Sequence, residues 1–121
     1  MNNNWINIEP NDLKNEKLMK YIGRVLSHGY RIEYKKENED LVIIVFDDIN
    51  QIGSAQFLEN EYDFHCQNIK VEEKYKRQGI GNALYVLAEF ILQKKIFNYW
   101  KNISQTNEIK AFWNQKNMPF G

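Results

Sequence analysis

A basic turn that carries two glycines stands at residues 71–84 of this 121-residue chain, where the sequence is VEEKYKRQGIGNAL. It follows a predicted β-strand and precedes a predicted helix that is expected to begin at Gly81. The first N–H groups of a helix have no partner within it, and the positive end of the helix dipole lies there. Gly79 and Gly81 have no Cβ, so they permit positive φ and let a ligand lie directly on the backbone. The segment therefore predicts a site for phosphate oxygens.

Two other phosphate-binding motifs are excluded by the residues around this turn. The nucleotide P-loop pattern, G-x-x-x-x-G-K-[S/T], does not occur in the chain. The dinucleotide pattern G-x-G-x-x-G would require a third glycine at position 84, where the chain has Leu84. A short basic anion-binding turn is the interpretation that remains.

Composition and charge predict one small domain, over residues 1–121, without a strong overall electrostatic field. The chain has 16 basic and 16 acidic residues and a formal net charge of zero, so neither nucleic acid nor an anionic membrane is an expected partner. The N-terminal segment is polar, and no stretch approaches the ~20 apolar residues of a membrane span, which predicts a cytoplasmic location. Cys66 is the only cysteine. Because His28 and His65 are few and far apart, no metal site is expected either.

Hydrophobic periodicity predicts the elements that would position the turn. Helical spacing of apolar residues predicts an amphipathic first helix, and alternating runs separated by polar turns predict an antiparallel meander. Together with the helix after the turn, these segments indicate an α+β fold with a mostly antiparallel central sheet and flanking helices. The expected helices are 11–28, 81–95 and 107–116, and the expected strands are 5–8, 30–36, 41–46, 51–58, 64–71 and 98–103.

The turn closely resembles the acetyl-CoA-binding signature of the GCN5-related N-acetyltransferases (GNATs). The usual pattern is Arg or Gln, two variable residues, Gly, any residue, then Gly or Ala. The six places are occupied here by Lys76, Arg77, Gln78, Gly79, Ile80 and Gly81. Lys76 departs from the common Arg or Gln. The predicted order of elements is also that of the family, and the resemblance runs from about residue 41 to residue 118.

A second family motif, near the C-terminus, is matched in part. Relatives have an Asn before an Ala and an aromatic pair, then Gly-Phe; here Asn107 precedes Ala111, Phe112 and Trp113, followed by Asn117 and Met118. Relatives usually continue into one or two further strands, whereas this chain stops at Gly121. The resemblance therefore implies that the C-terminal strands are truncated, and we expect a homodimer to cover the open edge.

The resemblance implies that the chain binds acetyl-CoA as a cosubstrate and moves its acetyl group to a primary amine in a ternary complex. The backbone amides of residues 77–82 would hold the pyrophosphate, the strand end at 69–71 would pair with the pantetheine arm, and Asn107 would bind that arm from the other side. The implied cofactor-binding residues are Ile69, Lys70, Val71, Lys76, Arg77, Gln78, Gly79, Ile80, Gly81, Asn82 and Asn107. Ile69 and Val71 are also readable as plain buried strand residues.

His65 is the candidate general base. Counted back from Lys76 without gaps, it falls where histone-type relatives have a carboxylate base, and a neutral imidazole can take a proton from an ammonium group. The alternative is a structural histidine at a strand start. Trp113 stands where many relatives have a Tyr that protonates the CoA thiolate, and an indole N–H cannot act as an acid. Other candidate bases are Glu61, Asp63 and Glu72, and other candidate acids are Tyr85 and Tyr99.

Two further function classes stay open beside the N-acetyltransferase. One is a catalytically silent acyl-CoA-binding or sensing module, and the other is a protein-interaction domain on the same fold. The sequence leaves the acceptor amine open between a small molecule and a protein.

Overall fold

A computed structural model describes residues 4–96, which form a six-stranded sheet with two α-helices. The strands lie in the sheet in chain order; β1 to β5 are antiparallel to their neighbours, and β6 is parallel to β5. The strands are β1 Ile6–Asn7, β2 Arg31–Glu37, β3 Asp40–Asp47, β4 Asn50–Glu59, β5 Asp63–Val71 and β6 Lys95–Ile96. The helices are α1 Glu16–Ser27 and α2 Ile80–Leu92, with 3-10 turns at Pro10–Asp12 and Glu73–Tyr75.

The predicted antiparallel meander is confirmed, as are the candidate strands at 5–8 and 30–36. The first helix is shorter than the predicted 11–28, because Asn15 caps it: its Oδ1 accepts a hydrogen bond from the Leu18 N–H at 2.8 Å. The second helix ends at Leu92, before the predicted 95, with Gln93 in the left-handed conformation as its C-cap. The predicted strand at 98–103, the helix at 107–116 and the C-terminal dimer surface lie outside the described residues.

The hydrophobic core lies between the two helices and one face of the sheet. Alternate residues of β3 are fully buried, as the sequence alternation predicts: Leu41, Ile43 and Val45. Phe57 of β4 packs edge-to-face against both Phe64 of β5 and Tyr85 of α2, with ring centroids 5.6 and 5.5 Å apart. These aromatic contacts fix α2 over the centre of the sheet.

Helices α1 and α2 pack side by side in opposite directions. At one end, the Lys17 ammonium lies 3.5 Å from a Glu89 carboxylate oxygen, and at the other end Arg24 reaches the residues just before α2. The C-terminal end of α1 therefore lies beside the N-terminal end of α2, where the glycine turn is. Neither helix in residues 4–96 has the length and apolar character needed to cross a membrane.

Candidate functional site

The glycine turn joins β5 to α2, and the helix begins at Ile80, one residue before the predicted start at Gly81. Gly79 is the N-cap residue in the left-handed conformation, with φ 88° and ψ 8°. Its carbonyl accepts the first helical hydrogen bond, from the Ala83 N–H at 3.0 Å. The N–H groups of Ile80, Gly81 and Asn82 therefore have no acceptor within α2. They lie at the positive end of the helix dipole, which favours an anion.

Arg77 also adopts the left-handed conformation, with φ 69°. That conformation costs a non-glycine residue roughly 1–2 kcal/mol. The other non-glycine residues with positive φ in residues 4–96 occupy two hairpin turns and the end of α2, where such geometry is usual: Asn38, Asp48 and Gln93. Arg77 closes neither a hairpin nor a helix, so its strained backbone belongs to the glycine turn itself.

Two contacts from distant parts of the chain hold the turn in place. A guanidinium N–H of Arg24, on α1, donates to the Arg77 carbonyl with an Nη2–O distance of 3.2 Å. The Tyr30 hydroxyl, just before β2, donates to Oε1 of Gln78 at 2.7 Å. The partners are 53 and 48 residues apart in the chain, so no local pattern could have indicated these contacts.

The side chains of the turn carry uncompensated positive charge. Lys76 pairs with Glu73, with an N–O distance of 3.3 Å. Arg24 and Arg77 are both exposed, and neither forms an ion pair with any carboxylate of residues 4–96. Two guanidinium groups without an ion-pair partner among these residues are therefore carried by the turn and by the end of α1 beside it.

Within residues 4–96, the outer edge of β5 is paired over only a short length. On one side β5 pairs with β4 along most of its length; on the other, β6 pairs with Asp63 and Phe64. Beyond Phe64, no strand within residues 4–96 pairs with this edge. Ile69 is 4% exposed and belongs to the core, as the buried-strand interpretation predicted, whereas Lys70 is exposed and Val71 half-buried.

A β-bulge interrupts β5 at Gln67. Phe57 lies opposite Cys66 and Gln56 opposite Asn68, which leaves Gln67 without a cross-strand partner. Bulges re-aim backbone groups and are frequent beside binding sites. The predicted strand did not include this irregularity. The apolar residues Cys66 and Ile69 are three positions apart, whereas strict alternation would place them two apart. This spacing is the sequence signal that could have indicated the bulge.

His65 lies on β5, two residues before the bulge, and is half-buried on the face opposite Phe64 and Cys66. Burial lowers its pKa from the ordinary 6.5, and the nearby Asp63 charge opposes that shift. The imidazole is therefore neutral at physiological pH. Six extended residues, about 20 Å, separate His65 from Val71 at the strand end. A base at His65 could serve only a group carried along β5, away from the turn.

The other candidate catalytic residues differ from His65 in their burial and contacts. Tyr85 is fully buried and its hydroxyl lies against the Cys66 thiol, so burial raises the pKa of both groups, that of Cys66 to about 12. Tyr85 is thus wrong as a candidate acid. Glu61 and Glu72 are exposed, and the Asp63 carboxylate accepts a hydrogen bond from the Asn60 amide at 2.8 Å. Candidates that lie outside the described residues are Tyr99, Asn107 and Trp113.

Comparison with solved structures gives matches to acetyltransferases. AAC(6')-Iy, in complex with the bisubstrate analogue CoA-S-monomethyl-acetylneamine, matches with a TM-score of 0.51 and 15% identity, over 70% of this chain and 64% of that chain. The match thus spans less than two thirds of the length of AAC(6')-Iy. An aminoglycoside acetyltransferase from an uncultured soil metagenomic sample, in complex with trehalose, has a TM-score of 0.53 and 15% identity, over 97% and 88%.

A GNAT family acetyltransferase from Streptococcus pneumoniae TIGR4 gives a TM-score of 0.46 and 16% identity, over 92% of this chain and 83% of that chain. No protein-family model matches the sequence, and the search of curated proteins gave no match. The chain has the fold of the GNAT acetyltransferases, so the resemblance found at the glycine turn is confirmed for the fold. At this level of identity, the likeness establishes the fold alone.

Proposed function

We propose that this chain is an N-acetyltransferase that moves an acetyl group from acetyl-CoA to a primary amine. One observation carries the proposal: left-handed Gly79 caps α2 directly after the turn from β5, so that the N–H groups of residues 80–82 have no acceptor within the helix. The turn has the strand–turn–helix context that a CoA phosphate site requires. The acetyltransferase fold of the chain adds support by analogy.

In this proposal the described residues hold the cosubstrate along β5. The N–H groups of residues 80–82 and the Arg77 guanidinium bind the pyrophosphate, while Lys76 adds charge near it. The outer edge of β5 receives the pantetheine arm as an added strand, with Ile69, Lys70 and Val71 as its wall. Acetyl-CoA supplies the activated thioester. The bulge at Gln67 turns backbone groups out of the ladder, and an N–H there stabilises charge on the thioester oxygen.

His65 is the proposed base of the reaction. Its lowered pKa keeps the imidazole neutral, so it can accept a proton from the acceptor ammonium group, directly or through water. The candidate acid Tyr85 is buried in the core, so the proposal assigns it no part in the reaction. A thiolate is a tolerable leaving group near neutral pH, because thiol pKa values lie at ~8.5, so the transfer does not depend on such an acid.

The burial of Tyr85 also favours a second candidate, a catalytically silent module that binds or senses acyl-CoA. A panel of acceptor amines distinguishes the two. Of the solved structures described above, one is named an aminoglycoside acetyltransferase and another is in complex with CoA-S-monomethyl-acetylneamine, so aminoglycosides belong in the panel with polyamines and peptide amines. CoA binding without transfer to any amine favours the silent module.

The test of the site compares two glycines that share one conformation. Gly79 and Gly29 have φ of 88° and 87°, and within the described residues nothing lies within 4 Å of a Cβ built on Gly29. Gly79→Asp places a carboxylate where the pyrophosphate is expected, so calorimetry should find CoA binding lost; Gly29→Asp bears the same backbone strain and should keep it. Unchanged affinity in a folded Gly79→Asp protein contradicts the proposal.

A further inference from the structure

We propose that Arg24, on α1, is a further phosphate-binding and positioning residue of the CoA site, where it contacts the diphosphate and holds the turn. The inference rests on the proposed function, because it assigns an additional residue to the same ligand. The GNAT signature covers residues 76–81 and includes no residue of α1. The assignment comes from the placement of the Arg24 guanidinium.

The guanidinium lies directly against the backbone of Gly79. A Cβ built on Gly79 would lie 3.1 Å from both Cδ and Nη1 of Arg24, and 3.3 Å from Cζ. The neighbouring Nη2 donates to the Arg77 carbonyl at 3.2 Å. Arg24 therefore touches the turn at the residue that caps α2, beside the free N–H groups of residues 80–82. A side chain at position 79 would therefore require Arg24 to shift by a few tenths of an ångström.

A guanidinium has five N–H donors, and the Arg77 carbonyl occupies only one nitrogen of Arg24. The planar fork is suited to bidentate contact with phosphate oxygens. Nη1 lies 3.1 Å from a Cβ built on Gly79, and its N–H groups have no acceptor among the hydrogen bonds of the described residues. One side chain can thus hold the turn through a carbonyl and still bind an anion.

The charges around Arg24 point to an anionic ligand. The structure places the Arg24 guanidinium against the Arg77 carbonyl and beside Gly79, which caps the positive end of α2. Neither Arg24 nor Arg77 forms an ion pair with a carboxylate in the part of the chain that the structure describes. Glu73, an acidic residue just before the turn, is paired with Lys76. A bound diphosphate would supply the opposite charge that these two arginines lack.

A purely structural role is the competing explanation, and Tyr30 provides the comparison for it. Tyr30 also anchors the turn by one hydrogen bond, to Gln78, but its side chain has no cationic group to pair with a phosphate. Tyr30→Phe removes an anchor without changing charge. Lys20 provides the control for charge, since it is an exposed cation one helical turn before Arg24 on the same face of α1.

The experiment measures CoA affinity by calorimetry for the wild type and for Arg24→Met, Arg24→Lys, Tyr30→Phe and Lys20→Met. We expect Arg24→Met to bind CoA about tenfold more weakly at low salt, because a charge-assisted hydrogen bond is lost. The difference should shrink at about 0.5 M salt, where the Debye length is only a few Å. Arg24→Lys should recover part of the affinity, and Lys20→Met should change it by less than about twofold.

Dephospho-CoA, which keeps the diphosphate but lacks the 3′-phosphate, should show the same loss for Arg24→Met as CoA does. A loss confined to CoA overturns the diphosphate assignment. Wild-type affinity in Arg24→Met, or a salt-independent loss equal to that of Tyr30→Phe, overturns the phosphate contact altogether. If the wild type does not bind CoA, the proposed function fails; if binding is lost in Gly79→Asp but kept in Arg24→Met, only this inference fails.

Discussion

At the scale of single residues, the environment of His65 sets the pH range in which the imidazole is neutral. Burial lowers its pKa below 6.5, and the Asp63 charge limits that shift. Between the two pKa values, the unfolded chain binds more protons than the folded chain. The contribution of His65 to stability is therefore present above about pH 6.5 and declines as the pH falls through the folded-state pKa.

We expect His65→Gln to lower the rate of acetyl transfer roughly 10²-fold, with little change in CoA affinity. The wild-type rate should rise with pH through a pKa below 6.5 and then level off, because the neutral imidazole is the active form. In the variant, the residual rate should keep rising as the amine itself loses its proton. Steady-state rates measured from pH 5 to pH 9 test this.

Asp63→Asn is the matched control for that profile. Removing the carboxylate removes the charge that raises the His65 pKa, so the acid limb of the pH profile should move to lower pH while the plateau rate is kept. A His65→Gln protein with wild-type pH dependence assigns His65 a structural role. The base would then have to be sought elsewhere.

At the scale of elements, the contact between β4 and the first residue of α2 determines how closely the helix packs on the sheet. A Cβ built on Gly53 would lie 3.0 Å from Cγ2 of Ile80 and 3.5 Å from the Lys70 carbonyl oxygen. The absence of a side chain at Gly53 thus allows α2 to begin close to the sheet. The position of the proposed anion site at residues 80–82 therefore depends on this packing.

Gly53→Ala should therefore destabilise the fold and weaken CoA binding, whereas Gly23→Ala should stabilise the fold. A methyl group on Gly23, in the middle of α1, meets only Cδ1 of Leu13 at 3.8 Å, an ordinary contact. Alanine there should add about 0.5–1 kcal/mol to the free energy of unfolding. Overpacking at Gly53 should remove about 1–3 kcal/mol. Urea unfolding measures whether each variant gains or loses free energy of unfolding. An unchanged CoA affinity in Gly53→Ala would show that this packing does not position the CoA site.

Local patterns predicted the elements better than their contacts. The alternation of Leu41, Ile43 and Val45 predicted β3, and Gly79 predicted the turn, because each depends on residues close in sequence. The bulge at Gln67 depends on the register between two strands, and the contact of Arg24 with Arg77 depends on how two helices pack. Neither follows from the periodicity of one segment. The sequence therefore predicted the glycine turn of the candidate site but not the contact of Arg24 with it.

At the scale of the whole molecule, ligand binding and folding are linked. A ligand that binds only the folded state stabilises it, by about 2.7 kcal/mol when its concentration is 100 times the dissociation constant. Since the proposed site joins α1, α2 and the β5 end, CoA should raise the melting temperature of the whole domain in a single transition. Thermal unfolding with increasing CoA tests this.

Gly79→Asp serves as the control for that titration. Its melting temperature should be independent of CoA, whereas that of Gly29→Asp should rise as in the wild type. A CoA-dependent rise in Gly79→Asp would locate the ligand somewhere other than the glycine turn. A wild-type melting temperature that does not change with CoA would show that CoA is not the ligand.

The left-handed backbone of Arg77 has a consequence for directed evolution of this protein. Glycine at position 77 would relieve roughly 1 kcal/mol of conformational strain, whereas Asn38 and Asp48 have side chains that tolerate this conformation. A library sorted for thermal resistance alone should therefore enrich glycine at position 77. A library sorted for turnover should keep arginine there, so the two selections should give different residues at this position.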